Sequence, residues 1–221
     1  MKNNYKLFLL ILFCYLFISQ NKIFANENGF DTLEINITNG GKVIDAGAGS
    51  IISSNDSLEI KAQNFKYDKS SSILTAIGGT AILQDRDIKI KANKFIYNKM
   101  LSTLRAIGNV EVKNLKNKSI IKSENIFYQK EEEILISNVK STLIDKLGNN
   151  FFTDNFIYTL SDDLIKISNA KVVSSENDIL HIEKAYLDLS TNQLIGGNAS
   201  IDFDNKNFNK DNEPRLKGRT I

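Results

Sequence analysis

Proline is almost absent from this 221-residue chain: Pro214 is the sole example, and no glycine- or serine-rich stretch takes its place as a linker. Nothing therefore divides the chain into separate folded domains. Cysteine is as scarce. Cys14 stands alone inside an apolar run near the start, so the rest of the chain has no disulfide and no thiol chemistry. His181 is the only histidine, with neither a cysteine nor an acid at ligand spacing. No metal site is proposed, no cofactor is implied and no catalytic residue is assigned. An apolar i, i+3, i+4 stripe of helical length is also missing beyond the start, which argues against a helical fold.

The start itself is a targeting segment. Lys2 and Lys6 precede an apolar run over residues 7–18, and Ile23-Phe24-Ala25 makes a cleavage site before Asn26. The run is shorter than the roughly 20 apolar residues a spanning helix needs. Residues 1–25 are read as a signal peptide, which makes the protein an exported one. Of the 28 lysines and arginines, Lys2, Lys6 and Lys22 leave with that segment, and none of the 26 acids does. The remainder is close to neutral, which argues against a nucleic-acid partner held through its phosphates.

What the sequence has in abundance is repetition. IKAQNFKYDK at 60–69 returns as IKANKFIYNK at 90–99, and LTAIGG at 74–79 returns as LRAIGN at 104–109. Looser copies follow at 123–130, 153–160 and 182–189. A fixed period of this size means stacked supersecondary units sharing one core. Each unit alternates apolar and polar residues with period two, as Leu58, Ile60 and Ala62 do with Glu59 and Lys61. Turn-formers such as Asp68 to Ser71, and Asn98 with Lys99, separate the phrases. Each repeat of about 30 residues is thus two strands, and about five such pairs are expected.

The alternation slips once in every copy. Inward parity is even through Ala62 and odd from Phe65 and Tyr67; the same switch separates Ala92 from Phe95 and Tyr97. It recurs between Ser123 and Ile126, Thr153 and Phe156, and Ile182 and Ala185. A slip of one residue turns side chains to the other face unless the backbone bends there. Bent strands stacked in register make an open, folded sheet with an apolar inside. The expected lining on the first two repeats is Leu58, Ile60, Ala62, Phe65, Tyr67, Leu74, Ala76, Ile82, Ile88, Ile90, Ala92, Phe95, Tyr97, Leu104, Ala106, Val110 and Val112. Ile121, Ile126, Tyr128, Phe156 and Tyr158 continue it. Gly78, Gly108, Gly196 and Gly197 are expected to keep part of that interior open.

With Ala62/Phe65/Tyr67 and Ala106/Gly108/Val110 on the page, the chain resembles the OstA-type β-jellyroll of lipopolysaccharide transport. That family includes LptA-like bridge proteins and the N-terminal periplasmic domain of the assembly protein LptD. The resemblance covers about residues 33–203. The tail around Pro214-Arg215-Leu216 resembles the passage from jellyroll to membrane barrel in LptD. The expected layout is a signal peptide at 1–25, a jellyroll at 26–205 and a polar junction at 206–221. The fold expected is all-β: two-strand repeats stacked into an open, bent jellyroll, solenoid-like in its repetition.

The resemblance implies transport without catalysis: a periplasmic groove, associated with the outer membrane, that shields the acyl chains of lipopolysaccharide. It implies an LptA-like partner added to an N-terminal edge strand within 33–37 or 43–52. It also implies an outer-membrane β-barrel near a C-terminal edge at 199–203. A stand-alone LptA-like bridge is the alternative. Readings of other classes are a dry closed core, a structural solenoid or adhesin, and a β-helix polysaccharide enzyme. The enzyme would need acids clustered on one strand face; Asp85/Asp87 and Asp162/Asp163 sit instead at strand ends, and Glu131 to Glu133 form a solvated turn. The cations Lys206, Lys210, Arg215, Lys217 and Arg219 belong to the tail.

Overall fold

A computed structural model describes residues 30–32, 35–38, 43–52, 57–203 and 215–220. The targeting segment and residues 204–214 of the tail lie outside the described residues. Strands take up most of the rest. They are β1 (Phe30–Thr32), β2 (Ile35–Thr38), β3 (Val43–Ala46), β4 (Gly49–Ile52), β5 (Leu58–Asp68) and β6 (Ile73–Leu83). Next come β7 (Ile88–Asn98), β8 (Thr103–Asn114), β9 (Ile120–Gln129), β10 (Ile134–Ser137), β11 (Ser141–Ile144) and β12 (Asn150–Thr153). The series ends with β13 (Asn155–Thr159), β14 (Leu164–Val173), β15 (Ile179–Asp188), β16 (Gln193–Asp202) and β17 (Arg215–Thr220). A 3-10 turn at Gln84–Arg86 joins β6 to β7.

All 17 strands form one sheet, and every pairing is antiparallel. β5 to β9 each pair with the next strand in sequence, as do β14 to β17. Between these blocks, β10 and β11 together span β9, while β12 and β13 together span β14. β3 and β4 span β5 in the same way, backed by β2 and β1. Four pairs of short strands thus each share a rung, and the 17 strands make thirteen rungs. The all-β, repeat-built class read from the alternation is the one observed.

Each long strand has two arms joined by a corner, and on β6, β8, β14 and β16 the corner is built from left-handed backbone. Gly78 (φ 59°) and Gly108 (φ 76°) occupy it on β6 and β8; Asn109, Asn169 and Asn198 adopt φ near 50° at equivalent levels. Glycine and asparagine are the residues that tolerate this region cheaply. At the far tips, Ser72, Ser102, Glu133, Asp163 and Asn192 share a positive φ, one per turn. Asp68, Asn98 and Asp188 brace three of those turns by accepting backbone N–H bonds from Ser70, Met100 and Ser190.

Three expectations change here. On β6 the left-handed Gly78 flips the parity, so Ala81 and Leu83 are buried while Ile82 is half-buried, opposite Glu59 and Lys89 on the outer row. Ile82 therefore does not point inward. Nor do Gly78, Gly108 and Gly196 open the interior. A Cβ on Gly196 would meet the Ile182 methyl at 2.4 Å and the Lys184 carbonyl oxygen at 2.5 Å, so neighbouring strands approach too closely there for a side chain. Gly78 and Gly108 serve the left-handed corner instead. The C-terminal edge also moves: β17 pairs with β16 and covers residues 199–203, so part of the tail extends the stack.

Candidate functional site

The interior between the two arms is lined by columns of side chains that run from rung to rung. On the first arm Ile60, Ala81, Ile90, Val112, Ile121 and Leu143 face one another in register and are buried. On the second arm tyrosine alternates with leucine: Tyr67, Leu74, Tyr97, Leu104, Tyr128, Leu135 and Tyr158. Nearer the corner large alternates with small, as Phe65, Ala76, Phe95 and Ala106 do. Such alternation fills space efficiently, since each ring lies over a short neighbour. These columns belong to one continuous apolar cluster from Ile44 to Ala199.

Of the residues expected to line the interior, Leu58, Ile60, Phe65, Leu74 and Ala76 are buried, as are Ile88, Ile90, Ala92, Phe95 and Tyr97. Leu104, Ala106, Val110, Val112, Ile121, Ile126, Tyr128, Phe156 and Tyr158 are buried too. Ala62 and Tyr67 are partly buried against the cluster. Burial locates these side chains; it does not show that a ligand touches them. Leu135, Leu143, Phe151, Ile165 and Ile167 share the interior and were not singled out from the sequence. For Leu135, Leu143 and Phe151 the splitting of β10, β11 and β12 into short strands weakened the alternation.

Halfway along the stack the mouth between the arms is bridged, not open. Arg86, at a first-arm tip, donates from Nε and Nη2 to both carboxylate oxygens of Glu133 at a second-arm tip, with Nε to Oε1 at 3.0 Å. Next, Asp163 Oδ1 accepts from the Tyr158 hydroxyl at 2.8 Å and from Asn117 Nδ2 at 3.1 Å, with the Lys116 ammonium 3.9 Å from its other oxygen. Asn114 Nδ2 donates to the Tyr158 hydroxyl at 2.8 Å. Last, Lys146 Nζ donates to the Ser190 carbonyl at 3.0 Å. The cations Arg86, Lys116 and Lys146 recur every 30 residues. That spacing is the signal that could have revealed these bridges; Glu133 and Asp163 looked like solvated turn acids instead.

The tyrosine hydroxyls lie just beneath the bridges. Burial, with Glu133 nearby, pushes Tyr128 up to about 12. Burial and the hydrogen bond to Asp163 push Tyr158 higher still, and burial raises Tyr97 as well. Each therefore stays neutral across the physiological range. At the corner, Ser123, Ser137 and Ser141 form a buried hydroxyl cluster, with Oγ atoms 2.9 to 3.1 Å apart. It satisfies polar groups that would be costly if left unpaired.

Towards the C-terminal end the interior loosens. Leu180 and Leu194 are only partly buried, and Leu216, which continues the first-arm column on β17, is 53% exposed. No protein-family model and no curated protein matches the chain. Among solved structures, the chain is similar to the crystal structure of LptH from Pseudomonas aeruginosa, described as the LptA homologous periplasmic component of the conserved lipopolysaccharide transport device. The TM-score is 0.45 and the identity 12%, over 61% of this chain and 95% of that one.

Proposed function

We propose that this protein is a periplasmic lipopolysaccharide carrier whose apolar interior takes the acyl chains by parting the two arms. The observation that carries the reading is the single continuous apolar interior, buried in its centre and partly exposed at its C-terminal end. Magnitudes favour opening. An exposed ion pair is worth about 1 kcal/mol or less, and the Arg86 and Glu133 side chains are each about one-third exposed. Burying an acyl chain of about a dozen methylenes, at about 0.8 kcal/mol each, is worth about 10 kcal/mol. The chains also replace apolar contacts between the arms with contacts of the same kind.

On this reading residues 1–25 are removed on export and 26–205 form the carrier. The outward edge of β1 and β2 receives an LptA-like bridge, and the β17 end meets an outer-membrane barrel, as in the N-terminal domain of LptD. A free-standing bridge uses the same interior, and the mass of the native polypeptide separates the two: below the 24.9 kDa of all 221 residues for the processed chain alone, far more with a barrel attached. The function is tested with a photo-crosslinking residue at Phe95 or Tyr97, which is expected to capture lipopolysaccharide; one at the outward Lys89 or Lys91 is not. Equal capture at all four positions refutes the proposal.

A further inference from the structure

The outer side of the corner carries a polar trench that the lipid reading does not use. Three cavities of about 690, 660 and 530 Å³ lie along it. Lys61 and Lys91 line the first, Lys122, Lys140 and Lys171 the second, and Lys171, His181 and Lys217 the third. Strand register sets these cations in one row. Lys61 faces Thr80, which faces Lys91; Lys91 faces Glu111, which faces Lys122. Beyond Thr142 and Phe152 the row resumes at Lys171, His181, Ser200 and Lys217. At about 4.8 Å per rung it extends about 50 Å, with lysines two or three rungs apart.

Of the four acids that line the cavities, Glu111 is paired with Lys113 at 3.0 Å, while Glu124, Asp154 and Glu183 accept from the neutral donors of Asn109, Asn169 and Asn198. Among the described residues, Lys91, Lys122, Lys140 and Lys171 have no ion-pair partner. Six lysines thus outnumber four acids along a line of amide and hydroxyl groups. One aromatic interrupts the row: Phe152, 45% exposed and lining the middle cavity. An exposed ring among amides, hydroxyls and regularly spaced ammonium groups suits a sugar polymer. Rings stack on the aromatic face, hydroxyls bond to the amides, and acid groups meet the lysines.

We infer that this trench binds an extended acidic polysaccharide, lying across the strands with its acid groups against the lysine row. The site is on the opposite face of the sheet from the apolar interior and does not depend on the lipid proposal. Because an acidic sugar chain can be free or borne on a lipid, the test separates the sources. Binding of the protein, purified as its host processes it, is measured by fluorescence anisotropy. The probes are labelled polygalacturonate, neutral dextran, duplex DNA and lipopolysaccharide. Polygalacturonate is expected to bind, more weakly as salt rises, and dextran at least tenfold more weakly.

The K91E/K122E/K171E variant is expected to lose at least tenfold in polygalacturonate affinity while keeping its thermal midpoint and its lipid capture at Phe95. F152A is expected to lose affinity with an unchanged salt dependence. K66E/K166E/K184E, on the outer face of the second arm, serves as the charge-matched control and keeps full affinity. Three outcomes overturn the site: dextran binding equal to that of polygalacturonate, DNA binding tighter than polygalacturonate at the same salt, or binding of lipid-borne sugar alone. Should the triple variant misfold, single K122E with F152A carries the test, and unchanged affinity in that pair overturns the site equally.

Discussion

The centre of the stack and its C-terminal end are made from the same columns of residues yet behave differently. At the centre Phe95, Leu104, Leu135 and Tyr158 are sealed between the arms, and polar bridges span the mouth above them. At the C-terminal end Leu194 and Leu216 continue those columns with water on one side. The interior is therefore continuous in composition and discontinuous in access. Apolar surface left exposed at an end is an invitation to a partner, whereas the bridged centre is a resting closure. The proposed carrier needs both: somewhere to receive cargo, and a way to keep its own arms from collapsing on foreign surfaces when empty.

Locking the centre should have the largest effect. In R86C/E133C, a cleavable bifunctional thiol crosslinker joining the two tips is expected to abolish lipopolysaccharide crosslinking at Phe95, and its cleavage to restore it; undiminished capture in the crosslinked form would show that cargo never passes between the arms. Truncating the core should then separate the two regions by stability. Leu104→Ala is expected to cost about 3 kcal/mol, and Leu194→Ala about 1 kcal/mol because that site is already half solvated. Equal shifts in denaturant midpoint would erase the distinction between them.

Alkaline pH sharpens the comparison further. Tyr97, Tyr128 and Tyr158 have folded values above the ordinary tyrosine value of 10, to about 12 for Tyr128. They contribute stability that is complete below about pH 10 and falls away as pH rises through the folded values. Unfolding monitored between pH 9 and 12 should show this loss, reduced in Tyr128→Phe. A profile that stays flat in the wild-type protein would contradict it. The smallest effect is that of a single bridge. Arg86→Ala should cost about 0.5 kcal/mol, while hydrogen exchange at the 130–133 turn becomes faster.

Much of this architecture is legible in the sequence, because burial on one face of a bent strand leaves period-two alternation with a slip. Ala92 followed by Phe95 and Tyr97 announces both the strand and its corner. What defeats the reading is backbone conformation that residue types do not encode. LTAIGG and LRAIGN look alike, yet β6 carries one left-handed residue and β8 two in succession, Gly108 and Asn109. The extra one is a bulge between Ile107 and Val110. It keeps Val110 and Val112 inward, whereas the equivalent Ile82 faces out. The bridges were hidden for another reason. They join residues 44 to 49 positions apart, which is no multiple of the repeat, so alternation within a strand carries no trace of them.

That same separation dictates an order of assembly. Arg86 cannot meet Glu133 until β7, β8 and β9 have been laid down between them, and each later bridge waits for a similar length of chain. Hairpins close quickly and locally, whereas these distant ties pay a larger loop-closure cost and come afterwards. The molecule grows as an open ribbon and becomes a sleeve only in the wake of its own advancing edge.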